Sequence, residues 1–408
     1  MMKRQMIFVH SVSVAWLRNL RCQCRFQSRS RPVAPLGSRI LSDPSRVFEH
    51  NMWDHIQWTP EQEELARQKA EENSRVKVSL EEQVKYEKDA SKYWDGFYRT
   101  HQSKFFKDRT WLFREFPELL PDGILARNGA KKAAIIPKFN SHSSSQTQSS
   151  TISKGAKCDC FSSTQTEQIL SDVVSTNSTE CTKPVYDITV TAHEEQSCNN
   201  LGKHKNLGMF PGFGPGFRIF EVGCGAGNSV FPILAEMRHS DGFLYCCDFS
   251  PYAVDLVKSH PSYNAVHCNA FVHDVCDETD TYPFPDESID VILLVFVLSS
   301  IHPERMPEVV KRLSKLLKPG GMILFRDYGR YDMSQLRLKK GRCLDGNFYV
   351  RGDGTRVYYF TKEEIANIFI SAGLKEVQNL VDRRLQVNRK KKIAMHRIWI
   401  QSKYQKEP

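Results

Sequence analysis

The segment Phe217-Arg218-Ile219-Phe220-Glu221-Val222 runs straight into Gly223-Cys224-Gly225-Ala226-Gly227-Asn228, and a helical stretch to Met237 follows. An apolar strand that breaks into closely spaced glycines and re-forms as a helix constrains the fold strongly. Glycines there let the backbone approach a ligand, and the helix start presents free amide donors. A dinucleotide fingerprint needs a further glycine where Asn228 stands, so the run is G-x-G-x-G and not G-x-G-x-x-G. That spacing disfavours NAD and points to a smaller nucleoside ligand without a pyrophosphate.

The rest of the C-terminal half repeats the alternation of strand and helix. Phe217 to Val222, Phe243 to Cys247, Ala270 to Val275, Val291 to Leu298 and Met322 to Arg326 read as five strands, with helices over Asn228 to Met237, Pro251 to Ser259 and Glu304 to Leu317. Glu376 to Val387 and Ile393 to Tyr404, separated by Asn388-Arg389-Lys390-Lys391-Lys392, read as an antiparallel hairpin. The expected fold class is α/β, a Rossmann-like sheet of seven strands whose last pair is that hairpin, preceded by a helical accessory region.

Acidic residues stand where successive strands end. Asp248 follows the glycine turn by about twenty residues, where a carboxylate can accept from both ribose hydroxyls. Asp274, in Val272-His273-Asp274-Val275, is placed to accept from an adenine amino group. Either could instead cap the next helix; their coincidence with the glycine turn favours a ligand.

The front of the chain differs. Met1 to Ser42 holds no Asp or Glu, while Lys3, Arg4, Arg18, Arg21, Arg25, Arg29, Arg31 and Arg39 are spread among serines and apolar residues. That composition suits a mitochondrial transit peptide over 1–40, with a basic nucleic-acid-binding arm as the alternative. Residues 45–120 read as helical: Thr59-Pro60-Glu61 and Ser79-Leu80-Glu81-Glu82 are helix starts, and the second helix is expected to run from Ser79 to about Tyr98. Trp94 and Tyr98, four residues apart, share a face of it.

Lys104-Phe105-Phe106-Lys107-Asp108-Arg109-Thr110-Trp111 then interleaves rings and cations. Rings that stack on bases beside cations that meet phosphates would suit an unpaired nucleic-acid loop; aromatics packed beneath a core explain the run equally well. Residues 121–207 are rich in Ser, Thr, Gln and Asn and read as a disordered linker, leaving 208–408 as the catalytic domain. The net charge of +10 suits a phosphate-bearing partner only weakly. The twelve cysteines show no paired zinc spacing, so no metal is expected. No apolar run reaches the ~18–20 residues that span a bilayer, and no membrane association is expected.

Six segments together resemble one family. Tyr93-Trp94-Asp95-Gly96-Phe97-Tyr98, Phe105-Phe106-Lys107-Asp108-Arg109, Glu221-Val222-Gly223-Cys224-Gly225, Phe296-Val297-Leu298-Ser299, Leu324-Phe325-Arg326-Asp327-Tyr328-Gly329 and Asn347 through Arg356 resemble the tRNA 3-methylcytidine family of class I S-adenosylmethionine methyltransferases. With the basic leader, the likeness is greatest to its mitochondrial branch. The resemblance implies S-adenosylmethionine as cofactor and N3 methylation of cytidine 32 in a tRNA anticodon loop. It implies cofactor contacts from Trp94, Tyr98, Gly223, Asp248, Asp274, Val275 and Val295. Phe105, Phe106, Lys107, Arg109 and Trp111 are assigned to RNA. An aminoacyl-tRNA synthetase, such as seryl-tRNA synthetase, is the candidate protein partner. Protein methylation and a tRNA-binding scaffold without turnover are the competing functions, and cytoplasm or nucleus the alternative to the mitochondrial matrix.

The chemistry is compatible with what is missing. Val297-Leu298-Ser299-Ser300 stands where exocyclic-amine methyltransferases carry Asn-Pro-Pro-Tyr. Cytosine N3 has an in-plane lone pair, so no base must first remove a proton and the site has only to align attack. The product ring is cationic, and a carboxylate nearby would stabilise it. Asp327 is the catalytic candidate, with an ion pair to Arg326 or Arg330 as its plainer role. Arg351-Gly352-Asp353-Gly354 reads as a hairpin turn.

Overall fold

The computed structural model describes residues 39–120, 210–238 and 240–408. Most of the leader and the linker expected over 121–207 lie outside the described residues. Before the glycine turn come a short strand β1 (Met52–Trp53) and helices α1 (Pro60–Ser74), α2 (Leu80–Lys88), α3 (Ala90–His101) and α4 (Leu112–Glu115). Thr59 and Gln62 close a reciprocal capping box on α1, and the Ser79 side chain caps α2. The single helix expected from Ser79 to Tyr98 is two, broken at Asp89, which ends α2 and begins α3.

The second half supplies β2 (Phe217–Val222), α5 (Val230–Met237), β3 (Gly242–Asp248), α6 (Pro251–Lys258), β4 (Cys268–Val272), β5 (Ile289–Val295), α7 (Met306–Leu316) and β6 (Leu317–Tyr328). Then follow α8 (Met333–Leu336), β7 (Cys343–Asp345), β8 (Phe348–Val350), β9 (Arg356–Tyr358), α9 (Lys362–Ser371), β10 (Leu374–Asn388) and β11 (Ile393–Lys406). The main sheet has the order β1-β10-β11-β6-β5-β2-β3-β4. Strands β4, β3, β2, β5 and β6 are parallel, whereas β11, β10 and β1 continue antiparallel. The α/β expectation holds, with an eighth strand where seven were expected. That extra strand is two residues of the accessory region, too short to leave a period in the sequence.

Side chains alternate across the sheet because successive Cβ atoms of a strand point to opposite faces. On β3, Phe243, Tyr245 and Cys247 enter the core beneath α7 and α9, while Leu244 and Cys246 enter the one beneath α5 and α6. Leu112, Phe116 and Leu119 complete this second core, so the end of the accessory region is built into the catalytic sheet. β1 ties it to the other edge, with Trp53 opposite Leu385 and buried. The small sheet β7-β8-β9 was not anticipated beyond its Arg351–Gly354 turn, since three-residue strands carry no readable alternation. Asn73 of α1 donates to the Leu336 carbonyl at 3.2 Å, and Ser74 meets the Tyr349 hydroxyl at 2.9 Å.

A charged network crosses the fold behind β6. Arg326 and Arg384 both bond the fully buried carboxylate of Asp382, and Arg384 also reaches Glu115 at 3.3 Å. Burial opposes ionisation of Asp382, yet the two guanidinium groups outweigh it and hold its pKa below the usual range.

Candidate cofactor cleft and nucleic-acid edge

The glycine turn forces a tight fit. Gly223 and Gly225 have φ of 64° and 54°, a left-handed backbone that side chains adopt at a cost. A Cβ on Gly223 would run into Val297, and one on Gly225 would collide with the Tyr98 hydroxyl. The turn therefore forms the floor of a cleft whose opposite wall is α3, where Trp94 stacks on Tyr98 with ring centroids 5.8 Å apart. Asp95 anchors α3 by accepting from the Ser250 hydroxyl and, at 3.3 Å, from the Tyr252 amide.

Asp248, at the end of β3, is 6% exposed and lines this cleft. Its two oxygens accept the Gly225 and Ser250 amides at 2.9 and 3.0 Å, so it also fixes the turn's shape. Burial pushes its pKa up to about 6, against the lowering effect of those amides. Asp274 and Val275 lie on the same wall beyond β4, where Asp274 accepts the Cys276 amide at 2.9 Å. Gly223, Asp248, Asp274, Val275, Trp94 and Tyr98 are thus brought to one cleft.

Val295 is not among them. It is 2% exposed and packed into the core beneath α5. The cleft wall there is Phe296 and Val297, because the chain turns at Phe296 with φ of 61°. Sequence reasoning also missed Glu87 and Arg356, which form an ion pair across the cleft from α2 to β9. Their sequence separation hides that pairing.

Asp327 is corrected as a catalytic residue. It has no exposure and is absent from the cleft wall; its oxygens accept the Ser299 amide at 2.9 Å and the Tyr328 amide at 2.8 Å. Burial lifts its pKa to about 6. It pairs with neither expected arginine: Arg326 bonds Asp382, and Arg330 bonds Glu364. Asp327 acts as a positioning residue that pins the 298–300 turn behind the cleft.

The aromatic-basic segment divides in two. Lys104, Phe105 and Lys107 are exposed, and Phe105 packs edge-on against Phe97 and Phe106. Phe106, Arg109 and Trp111 turn inward. The Phe106 carbonyl accepts from the Asn228 side chain at 3.1 Å, and the Arg109 amide donates to the Asn228 carbonyl at 2.8 Å. Arg109 donates to Ser229 at 2.8 Å, lies 3.6 Å from Glu221 and stands over the Phe296 ring at 5.8 Å. Trp111 packs on the core and carries Arg326 over its ring at 5.1 Å. Arg109 and Trp111 are thus partly buried and held by contacts within the fold, unlike the exposed Lys104, Phe105 and Lys107. The remaining edge, Lys104 to Lys107, is stapled to the residue that ends the glycine turn.

Glu221 is the most perturbed carboxylate at the turn. It is 1% exposed, neither oxygen has a hydrogen-bond partner, and burial raises its pKa to about 7 although Arg109 opposes the shift.

Residues 220–323 match a family described as a methyltransferase domain. The tRNA N(3)-cytidine methyltransferase METTL2 of Gallus gallus is 47% identical over 372 residues, covering 91% of this chain and 95% of that protein. The chain belongs to the tRNA N(3)-cytidine methyltransferase family. METTL2B of Homo sapiens, also named a tRNA N(3)-cytidine methyltransferase, is 49% identical over 374 residues, covering 90% of this chain and 92% of that protein. The tRNA N(3)-cytidine methyltransferase METTL8, mitochondrial, of Homo sapiens is 51% identical over 300 residues, covering 72% of this chain and 96% of that protein. Membership in the tRNA N(3)-cytidine methyltransferase family makes the chain an enzyme with S-adenosylmethionine as its cofactor. The cleft fits that group: a glycine floor that excludes any Cβ, an acid at the end of each of two adjacent strands, and an indole and a phenol opposite.

Proposed function

We propose that this chain methylates N3 of cytidine 32 in the anticodon loop of mitochondrial tRNAs. The observation that supports the reading is the exposed Lys104-Phe105-Lys107 edge, fastened through Phe106 to Asn228 after the glycine turn, where its ring and cations would meet RNA. The acid-free leader supports the compartment.

When bound, S-adenosylmethionine supplies a methyl group on a sulfonium centre. Asp248 would hold the ribose hydroxyls with the lone pairs its two amide bonds leave free. Asp274 would accept from the adenine amino group, with Val275 against the ring and the Gly223 backbone beside the sulfur-bearing chain. Trp94 and Tyr98, stacked on the opposite wall, would shield the cofactor from water. Because cytosine N3 would offer its own lone pair to the methyl carbon, with the sulfur as leaving group, orientation is the main demand on the protein.

Nucleoside mass spectrometry of mitochondrial tRNA, from cells with and without the gene, tests the reading. N3-methylcytidine should disappear from position 32 and return with the intact gene; an unchanged level would overturn the proposal. Adding seryl-tRNA synthetase to purified enzyme tests the helper expectation, since a partner would raise turnover on its own tRNAs only.

A further inference from the structure

One exposed side chain bars an end of the cofactor cleft. Arg305 closes the turn Pro303–Arg305 that leads into α7, and it lines the cleft. Its two terminal nitrogens reach opposite walls: Nη1 donates to a carboxylate oxygen of Glu87, on α2, at 3.1 Å, and Nη2 donates to the Cys276 carbonyl beyond β4 at 2.8 Å. Glu87 and Cys276 line the same cleft, as do Asp274 and Val275 just before Cys276. A single guanidinium thus spans from the accessory region to the wall assigned to the adenine.

Neither wall depends on that span. The other oxygen of Glu87 accepts from Arg356 of β9, a guanidinium 7% exposed and lying over the Phe348 ring at 5.4 Å. Tyr86, beside Glu87, packs on the cluster of Val78, Leu344, Phe348 and Val350, so this end of α2 is fastened to the small sheet. On the opposite wall, Arg312 of α7 donates to the Val275 carbonyl at 2.6 Å. Arg305 differs from these groups, since its side chain is 46% exposed. A pair in contact with water is weak and screened by salt, and water can take the place of either partner when the side chain swings out. Arg305 can therefore let go without loosening the walls it joins.

We propose that Arg305 is a gate on the cofactor cleft: its bridge from Glu87 to Cys276 closes the end by which the adenine enters and leaves, and its release sets the pace of cofactor exchange. The gate rests on the adenine placement beside Asp274 and Val275 proposed above and is independent of which substrate is methylated. Each methyl transfer leaves S-adenosylhomocysteine in the cleft, and it must depart before fresh cofactor enters. Opening and product release of this kind set the turnover of many enzymes. A bar that rests shut over a full cleft and an empty one slows entry and exit by the same factor, so it changes rates and leaves affinity alone. A direct contact with the cofactor acts instead on dissociation, and affinity falls with it.

Stopped-flow tryptophan fluorescence, with Trp94 in the cleft as reporter, measures binding and release of S-adenosylhomocysteine by the full chain. That ligand lacks the sulfonium charge, so added salt acts on the bridge. Arg305→Met, which keeps the length of the side chain without its charge, should raise association and dissociation rates together by about three- to tenfold, with affinity within about twofold. Arg305→Lys, able to hold one partner at a time, should fall between, and Glu87→Gln should act in the same direction as Arg305→Met. Raising salt from about 0.05 to about 0.5 M should speed exchange in the unaltered chain and change Arg305→Met little. Unaltered rates in Arg305→Met would overturn the gate. So would faster dissociation alone with weakened affinity, which would make Arg305 a contact of the cofactor. Asp274→Ala checks the placement separately: it should weaken affinity, and unaltered affinity would move the adenine away from this end and remove the gate with it.

Discussion

Arg109 reaches beneath the glycine turn to lie 3.6 Å from Glu221, an acid 1% exposed and otherwise without a hydrogen-bond partner. The pair joins the accessory region to the strand that ends in the cofactor turn.

Removing the guanidinium should therefore cost stability in a pH-dependent way. Glu221 has a folded pKa of about 7, above its ordinary 4.5, so the folded protein holds more protons than the unfolded one between those values. Its contribution to stability thus falls as pH rises through that window. Arg109→Ala removes the opposing charge and raises the folded pKa further. The variant should lose about 1–3 kcal/mol relative to the parent, with the larger loss at pH 8.5 and the smaller at pH 6. Urea unfolding at both values checks this; an equal loss would show that the charge of Glu221 is not what Arg109 serves.

Lys107 is exposed where Arg109 is not, so the two cations should separate cleanly. Lys107→Ala should lower the log–log salt slope of tRNA binding by roughly one and leave melting unchanged. Filter binding across a salt series decides, and an unchanged slope removes Lys107 from the RNA surface.

Asp248→Ala should weaken S-adenosylmethionine binding at least about tenfold, since it removes a charged acceptor and releases two amides of the turn. Asp248→Asn keeps an acceptor and should lose less. Calorimetry on folded variants reads both, and unaltered affinity in Asp248→Ala would end its assignment to the cofactor.

Asp382 neutralises Arg326 and Arg384 at once. Asp382→Ala would leave two buried cations short of a partner and should cost about 3–5 kcal/mol of stability, measured by denaturant midpoint. A loss below about 1 kcal/mol, the surface-pair range, would mean that Glu115 and Asp54 carry the network without it.

Fusing residues 1–39 to a fluorescent reporter should send it to mitochondria. A diffuse cytosolic signal would remove the compartment from the proposal and leave the tRNA chemistry in place.

What the sequence made legible follows from distance along the chain. The glycine turn, Asp248 and Asp274 stand at strand ends within one alternating pattern, so their shared cleft follows from the fold class alone. Val295 missed by one residue, because the positive φ of Phe296 rotates the chain at that point. Arg109 read as a free cation because its partner lies across the linker, and periodicity says nothing about pairs so far apart. Asp327 fits the pattern of a strand-end acid as well as Asp248 does; only burial separates a residue that faces ligand from one that ties down a turn. The β7-β8-β9 sheet escaped notice for want of length, and with it the proximity of Arg351 to Tyr328.

The β1 strand has a temporal consequence. Met52 and Trp53 pair with Gln386 and Leu385, so one of the earliest described segments to leave the ribosome finds its hydrogen-bonding partner among the last. Such long sequence separation makes for slow closure and high contact order. Until residues 374–388 exist, β1 has no sheet edge to pair with, and the cluster of Trp53 on Leu385 and Val387 cannot form. The edge of the sheet that β1 closes is thus first in synthesis and among the last parts of the fold that can be completed.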